Sequence, residues 1–350
     1  MAVYYIGILM ITLSWNLIDE ESKRNKGTTY KLWFVFVVLI LSIIEGFRSF
    51  DVGTDTGAYA KLFLIDDFTR FEFGYQVLCS LIRLFTKNAS IFLFIIASLT
   101  NGLVVRAVYR ISSQPCVSVF SYMALYYYFN SFNAMRQYLA VAFVLTAYTY
   151  LKDNRYLRYF LLIFIAVSIH NTALVGLLLF PMHFIRLKEN EIKAVNILNT
   201  LFIPVIAGLV GGAIFNSVLT IFLKLFPKYS IYLGTDQFTG TNAIQQVVVN
   251  TAIFIVYALL SRERKFAFPL GTATALSFML SSVRLISRFL WFFDVFSIFG
   301  LAEIWNTMVF TPKSRSIVRC LLALVCTLFM TYYLSLNVMR VGHYSFVWFN

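Results

Sequence analysis

Four short stretches bring polar residues into an otherwise apolar chain, in combinations that can bind an anion or transfer a proton. They are GFRSFDVGTDTGAYAKLF at 46–63, FNSFNAMRQY at 129–138, SIHNTA at 168–173 and SSVRLISRF at 281–289. A further tyrosine, Tyr344, lies in the C-terminal sequence RVGHYSFVWF. The types of these residues indicate the chemistry, and their positions indicate which elements must bring them together.

The arginines in these stretches indicate a site for an anion. A guanidinium group binds phosphate oxygens through two parallel hydrogen bonds and keeps its charge at physiological pH. Arg136 is flanked by the amides of Asn133 and Gln137, which can add hydrogen bonds to the same ligand. Arg284 and Arg288 are four residues apart, so a helix places them on one face. The alternative for each arginine is that its side chain extends to lipid headgroups.

Two residues in these stretches can act as a general base. His170 is one, because an unperturbed imidazole titrates near neutral pH, and Asp55 is the competing candidate. His170 has the alternative role of a packed histidine whose polar atoms are satisfied. Asp51 and Asp55 flank Gly53, so the alternative for both is a turn. The sequence leaves the choice of base open.

The sequence gives little support for a metal site or for nucleic-acid binding. No histidine or third carboxylate lies close to Asp51 and Asp55, although a divalent cation needs several oxygen ligands. The four cysteines are scattered and form no CxxC pair, so neither a disulfide framework nor a zinc site is expected. The net charge of +13 comes from basic residues dispersed between apolar runs, which excludes a nucleic-acid-binding face.

The elements that must position these residues are membrane helices. Of the 350 residues, 60% are hydrophobic and 13% are charged, whereas a soluble domain has about a quarter charged residues. We therefore predict an all-α integral membrane protein, a single domain over residues 1–350, with about 12 transmembrane helices. The predicted spans lie at 2–18, 32–47, 89–105, 117–129, 134–151, 157–169, 172–185, 197–221, 247–260, 267–283, 289–309 and 317–336.

The basic residues predict the orientation of these spans. Placing ESKRNKGTTYK (21–31) in the cytoplasm and alternating from there puts most of the 29 lysines and arginines in cytoplasmic loops. The apolar segment at 73–85 would invert every later loop if it crossed the membrane. We therefore predict a re-entrant or interfacial helix there, within an outer loop region at 48–88. The four polar stretches and Tyr344 then share the outer side.

The polar stretches resemble, in order and spacing, the EpsG family of exopolysaccharide-biosynthesis membrane proteins, in the wider class of Wzy-type oligosaccharide repeat-unit polymerases. The resemblance runs from Arg48 to the C-terminus. One departure is the sequence His-Asn-Thr at 170–172, where the family pattern has a serine or proline after the histidine. The matching positions are Arg48, Gly53, Thr54, Asp55, Tyr59, Asn133, Arg136, Gln137, His170, Asn171, Thr172, Arg284 or Arg288, and Tyr344.

The resemblance implies a bacterial enzyme of the cytoplasmic membrane whose active site faces outside. It implies that the enzyme joins undecaprenyl-diphosphate-linked oligosaccharide repeat units into a surface polysaccharide, such as an exopolysaccharide, a capsule or an O-antigen. A fold related to the GT-C glycosyltransferases and independence of metals and other cofactors are also implied. The expected partners are the lipid-linked oligosaccharide and membrane lipids, with a chain-length regulator protein as a further candidate.

With this function, the residues divide into two groups of candidates. The catalytic candidates are His170 or Asp55 as the base and Arg136 as a stabiliser of the diphosphate leaving group. The substrate-binding candidates are Arg48, Asp51, Tyr59, Asn133, Gln137, Arg284, Arg288 and Tyr344. The tyrosines can stack on sugar rings.

Two other functions fit parts of the sequence. A lipid-linked oligosaccharide flippase or exporter must offer polar groups through the membrane, with access that alternates between the two sides. The inner halves of the spans are apolar apart from Glu303 and Arg106, which favours the enzyme. A ligase that transfers finished glycan to another acceptor would use the same residues, and the sequence does not separate it from a polymerase.

The predicted orientation can be tested with single cysteines at Thr69 and Asn154 in a cysteine-free background. We expect an impermeant maleimide to label Thr69→Cys on intact spheroplasts and to leave Asn154→Cys unlabelled, because the basic residues near Asn154 hold that loop in the cytoplasm. Labelling at Asn154 without labelling at Thr69 would contradict the orientation and the shared outer site.

Overall fold

The computed structural model describes residues 1–184, 242–280, 286–308 and 312–347, together with Ile206 and Val210. In these ranges the chain is helical, and its β-type pairing is one antiparallel bridge between Arg48 and Phe346. Short 3-10 helices lie at Asn171–Leu178 and Ile286–Leu290, and Val338–Arg340 is a short turn in which Met339 and Arg340 have a left-handed backbone. The α-helices are α1 (Ala2–Asn16), α2 (Glu20–Asn25), α3 (Thr28–Gly46), α4 (Thr56–Leu64), α5 (Phe73–Phe85), α6 (Ala89–Ile111), α7 (Pro115–Ala124), α8 (Tyr127–Ser131), α9 (Met135–Lys152), α10 (Tyr156–Ile169), α11 (Leu179–Phe184), α12 (Asn242–Leu260), α13 (Ala267–Leu280), α14 (Trp291–Asp294), α15 (Ser297–Thr307) and α16 (Pro312–Ser335).

Several helix boundaries follow from the local sequence. The Asp19 carboxylate accepts a hydrogen bond from the Ser22 amide and starts α2. The Asn88 side chain accepts from the amides of Ser90 and Ile91 in the same way and starts α6. Pro115 is the first residue of α7, where its missing N–H costs no hydrogen bond. Short polar or proline-containing signals therefore separate the long apolar runs.

The prediction of an all-helical chain with membrane-spanning helices is confirmed for the described residues. Four described segments are long and apolar enough to cross a membrane: Thr28–Gly46, Ala89–Ile111, Arg288–Thr307 and Lys313–Ser335. Several further apolar helices are shorter, among them α1, α10 and α13. The predicted span at 197–221 lies outside the described residues, apart from Ile206 and Val210, and the count of about 12 spans stays a prediction.

Three predicted spans are interrupted. The run at 117–129 divides into α7 and α8 at Tyr126, whose φ of 72° no α-helix accommodates. The run at 172–185 begins as a 3-10 helix and continues as α11, and the run at 289–309 divides into α14 and α15. Such breaks inside a membrane protein need surrounding protein to satisfy the freed backbone groups.

The predicted re-entrant or interfacial segment is helix α5. Its 13 residues span about 20 Å, whereas the apolar core of a bilayer is about 30 Å thick. Tyr75, Cys79 and Ile82 are buried on one face, and the opposite face is exposed and includes Val77 and Leu81. A short helix with one buried face is consistent with the prediction that this segment does not cross the membrane.

The chain divides into two compact units. One comprises Met1–Gly176 with Pro312–Asn350, and the other comprises Leu177–Thr311. The single membrane domain that the composition suggests stays a prediction. All the predicted site residues except Arg284 and Arg288 lie in the first unit.

The segment at 341–345 contacts the start of α1 and the loop after α3 within the first unit. The Met1 amino group donates to the Gly342 carbonyl at 3.2 Å, and the buried Tyr4 hydroxyl donates to the Val341 carbonyl at 2.7 Å. Beside them, the Ser49 amide donates to the Ser345 carbonyl at 2.8 Å. The C-terminal segment is thereby fixed against α1 and against the loop that follows α3.

Helix α3 packs closely against α6 at its C-terminal end. A Cβ atom on Gly46 would lie 2.4 Å from the Cα of Phe94, so the position has room for glycine alone. The Phe47 and Phe94 rings stack beside it, with centroids 4.8 Å apart. This contact fixes the end of α3, from which the first polar stretch begins.

We expect Gly46→Ala to destabilise the protein by roughly 1–3 kcal/mol, because the added methyl group must displace the α6 backbone. Gly102→Ala is the matched control. Apart from its chain neighbours and the nearby backbone of its own helix, no heavy atom of the described chain lies within 4 Å of the added Cβ, and alanine favours a helix over glycine. Thermal unfolding of both purified variants in detergent measures the difference. Equal stability of the two variants would contradict the close packing at Gly46.

Candidate functional site

Arg48 lies in the interior of the first unit, with an exposed fraction of 1%. Its Nε donates to the Val52 carbonyl at 3.3 Å and to the Thr56 hydroxyl at 3.2 Å. Its terminal nitrogens donate to the Phe132 carbonyl at 2.8 Å and to the Glu45 carbonyl at the end of α3. The sequence predicted that Arg48 binds substrate, whereas the structure directs its donors to carbonyl and hydroxyl groups of the protein itself.

The loop at 53–55 is held by the side chain of Asn133. The Asn133 Oδ1 accepts hydrogen bonds from the Thr54 amide, the Thr54 hydroxyl and the Asp55 amide, the last at 3.3 Å. Gly53 has a φ of 98°, which favours glycine, and a Cβ there would lie 2.5 Å from the Thr56 hydroxyl. The Asp55 backbone is therefore anchored while its carboxylate remains exposed, as is Asp51.

Arg136 lies in the first turn of α9 and joins three other elements. It forms an ion pair with Glu72, and its Nε donates to the Tyr59 hydroxyl at 3.3 Å. Its guanidinium lies over the Phe71 ring, 4.5 Å from the centroid. The second Glu72 oxygen accepts from the Asn171 amide at 3.4 Å. These contacts bring the start of α4, the start of α5 and the turn after α10 to the start of α9.

His170 ends helix α10 with an extended backbone. Its Nδ1 accepts a hydrogen bond from the Thr172 amide at 3.3 Å and lies 2.8 Å from the Thr172 hydroxyl. A backbone N–H can only donate, so the neutral ring carries its proton on Nε2. In this tautomer the Nε2 atom of His170 is a hydrogen-bond donor.

Three helices begin close to Arg136 and Glu72. Helices α4, α5 and α9 have the N-cap residues Asp55, Glu72 and Ala134. None of these three N-cap side chains accepts a hydrogen bond from the first turn of its helix. The N-terminus of a helix carries a partial positive charge and exposes backbone N–H groups, which together favour an anion. Together with Arg136, these helix starts form a site suited to a phosphate group.

A protein-family model described as the EpsG family matches residues 31–346. The chain belongs to the EpsG family. The resemblance noted from the polar stretches is confirmed, and the EpsG family is a family of Wzy-like polymerases. Membership points to a membrane protein and to a polymerase-type enzyme. No curated protein and no solved structure gives a significant match to the chain.

Three further predicted residues of this EpsG-family chain, Tyr344, Gln137 and Arg288, lie within the described ranges. The Tyr344 hydroxyl donates to the Ile44 carbonyl at 2.8 Å, and burial raises the pKa of Tyr344, which keeps the hydroxyl protonated. Gln137 is buried in the first turn of α9, with an exposed fraction of 2%. Arg288 is exposed on a 3-10 helix of the second unit, and Arg284 lies outside the described residues.

Sequence reasoning missed Glu72 as a member of the site. It lies outside the four polar stretches, but the structure pairs it with Arg136. Its position directly before the apolar run at 73–85 was the available signal, because a helix begins there. Glu45, directly before the first polar stretch, accepts hydrogen bonds from Asn101 at 2.7 Å and Ser131 at 2.8 Å. No group of three or more potential metal-ligating His, Cys, Asp or Glu residues occurs within the described ranges.

The anchoring of the 53–55 loop by Asn133 can be measured by hydrogen exchange. We expect Asn133→Ala to increase amide exchange at Thr54 and Asp55 by about tenfold, since each loses its acceptor and a lost buried hydrogen bond costs about 1–3 kcal/mol. Asn130→Ala is the matched control, because the side-chain amide of Asn130 donates to the Tyr138 hydroxyl and not to this loop. Unchanged exchange in Asn133→Ala would contradict the anchor.

Proposed function

We propose that this EpsG-family protein is a membrane glycosyltransferase that polymerises undecaprenyl-diphosphate-linked oligosaccharide repeat units. The proposal places the reaction on the outer face of the bacterial cytoplasmic membrane, on a GT-C-related fold with about 12 spans. The observation that supports it best is the meeting of Arg136 with the starts of α4, α5 and α9. A diphosphate leaving group needs such preplaced positive groups.

The reaction forms one bond and breaks one. The donor is the growing glycan on undecaprenyl diphosphate, and the acceptor is a terminal sugar hydroxyl of a fresh lipid-linked unit. The acceptor oxygen bonds to the anomeric carbon while the bond from that carbon to the phosphate oxygen breaks. The diphosphate leaves with the electron pair, and the hydroxyl proton passes to a base. Arg136 stabilises the charge that develops on the leaving oxygen.

Asp55 is the better placed of the two candidate bases. Its carboxylate is exposed and accepts from the Thr54 hydroxyl at 3.1 Å, so an acceptor hydroxyl can reach it. His170 already accepts at Nδ1 and carries its proton on Nε2, so it suits the role of a donor to substrate oxygens. We therefore assign proton acceptance to Asp55 and hydrogen-bond donation to His170.

The other predicted residues also receive proposed roles. We propose that Arg48, Asn133 and Tyr344 position the backbone around the site, because their polar atoms bond to the protein. Tyr59 and Asp51 border the 53–55 loop and are proposed to contact sugar hydroxyls. The remaining candidates are Gln137, as support for the first turn of α9, and Arg284 and Arg288, as ligands of the second lipid-linked substrate.

The role of Arg136 can be tested by replacing it with lysine. We expect Arg136→Lys to fold and to lose about a hundredfold or more of its activity, because lysine keeps the charge but not the planar fork. Arg83→Lys is the matched control, since Arg83 also lies over a phenylalanine ring and pairs with a carboxylate, that of Asp66. Polymer made in a deletion strain, normalised to the amount of protein in the membrane, is the measurement. Wild-type polymer from both Arg136→Lys and Arg136→Ala would contradict the proposed function.

The assignment of base and donor predicts different losses for two variants. We expect Asp55→Asn to lower turnover of purified lipid-linked units by about a hundredfold or more, the usual contribution of a general base. We expect His170→Gln to lower it by less than about tenfold, because glutamine can still donate a hydrogen bond. The reverse order would make His170 the base. Lengthened product from purified protein also separates a polymerase from a flippase, which moves its substrate without extending it, and from a ligase, which needs another acceptor.

A further inference from the structure

Glu72 has a position that the proposed reaction does not use. It precedes α5 as its N-cap residue, yet its carboxylate does not cap that helix. One oxygen pairs with Arg136 and the other accepts from the Asn171 amide at 3.4 Å. Glu72 therefore links the arginine to the turn that carries His170.

The carboxylate of Glu72 occupies the place that a phosphate would take on Arg136. Carboxylate and phosphate oxygens bind a guanidinium group in the same planar geometry. Arg136 does not depend on Glu72 alone for its position, because Tyr59 accepts from its Nε at 3.3 Å and the Phe71 ring lies beneath it at 4.5 Å. The guanidinium can thus stay in place when its anionic partner changes.

Binding of a diphosphate and of the Glu72 carboxylate to Arg136 at the same time is unfavourable in free energy. The side chains of Arg136 and Glu72 are 22% and 19% exposed, so solvent screens their charges only in part. Two anions held together in such a site repel each other. The arrival of a diphosphate is therefore coupled to the departure of the carboxylate.

The departure involves the side chain of Glu72 rather than the helix. A Cβ on Gly74 would lie 2.1 Å from the Ser168 hydroxyl oxygen, so the start of α5 packs directly on the end of α10. The backbones of these two helices are thereby held together near the site. A change of the Glu72 side-chain rotamer is sufficient to release Arg136.

We propose that Glu72 is a positioning residue that serves as the resident counter-ion of Arg136 and exchanges with the diphosphate of the lipid-linked substrate. This inference rests on the proposed function. The carboxylate leaves Arg136 when the donor binds and returns when the spent lipid diphosphate departs. Its return displaces the product, so Glu72 lowers the affinity for diphosphate and speeds product release.

The exchange can be measured with inorganic pyrophosphate as the probe. Purified full-length protein in nanodiscs would be titrated calorimetrically as wild type, Glu72→Gln, Arg136→Ala and Asp66→Asn. We expect Glu72→Gln to bind pyrophosphate about twofold to fivefold more tightly, the scale of a partly exposed ion pair. Arg136→Ala should lose binding. Asp66→Asn is the matched control, since it removes the carboxylate partner of Arg83, 3.1 Å away, and should leave the affinity unchanged.

Turnover separates the exchange from a purely structural role. We expect Glu72→Gln to lower the KM for lipid-linked units, to lower kcat and to strengthen inhibition by pyrophosphate, while Glu72→Asp restores wild-type values in part. A structural role would reduce the amount of folded protein without moving KM and the inhibition constant together in this way.

Each contrary result identifies what fails. Unchanged or weaker pyrophosphate binding in Glu72→Gln, with binding still lost in Arg136→Ala, overturns the exchange and leaves the proposed function in place. Absence of pyrophosphate binding in both wild type and Glu72→Gln also overturns the exchange. Wild-type polymer from the Arg136 variants overturns the proposed function itself.

Discussion

The buried guanidinium of Arg48 is the constraint on which the first unit depends. A charged group removed from water is costly unless hydrogen bonds satisfy its donors. Arg48 meets this requirement with the carbonyls of Glu45, Val52 and Phe132. The end of α3, the loop that follows it and the segment before α9 must therefore keep fixed positions around one side chain. Moving any one of them would leave a buried charge without its full set of acceptors.

This constraint is transmitted to the site through backbone geometry. The C-terminal segment meets the 53–55 loop with two residues in the left-handed region, Met339 at φ 58° and Arg340 at φ 57°. The Arg340 carbonyl accepts from the Gly53 amide of the loop at 3.0 Å. The Met339 carbonyl accepts at 3.3 Å from the side chain of Asn133, which itself binds the loop. Non-glycine residues adopt this conformation at a cost, and the surrounding contacts offset it. The loop is thus held between α9 and the chain terminus.

The sequence indicated residues of the candidate site, but it did not indicate which groups those residues contact. The spacing of the polar stretches predicted Arg136 and Asp55; the structure places Arg136 against Glu72 and Tyr59 and anchors the Asp55 backbone. The apolar run at 73–85 is helix α5, and the inference from the charge pattern that it does not cross the membrane stays a prediction. The sequence did not identify the burial of Arg48, because most of its partners are backbone carbonyls, which have no sequence signature. Nor did it identify the break at Tyr126, where a tertiary contact, the hydroxyl on the Val338 carbonyl at 2.9 Å, accompanies a left-handed backbone.

Three arginines of the first unit show why partners, rather than residue type, decide their roles. Arg48, Arg83 and Arg136 each lie over a phenylalanine ring, within 5.4 Å of its centroid. Arg48 is buried among backbone carbonyls, which no ligand can replace. Arg83 pairs with Asp66 but is also held by a backbone carbonyl. Arg136 is partly exposed, and its assigned polar partners are a tyrosine hydroxyl and the carboxylate of Glu72. An anionic ligand can take the place of a carboxylate but not of a backbone carbonyl. The partners of these three arginines therefore support the proposal that Arg136 is the one that binds the diphosphate.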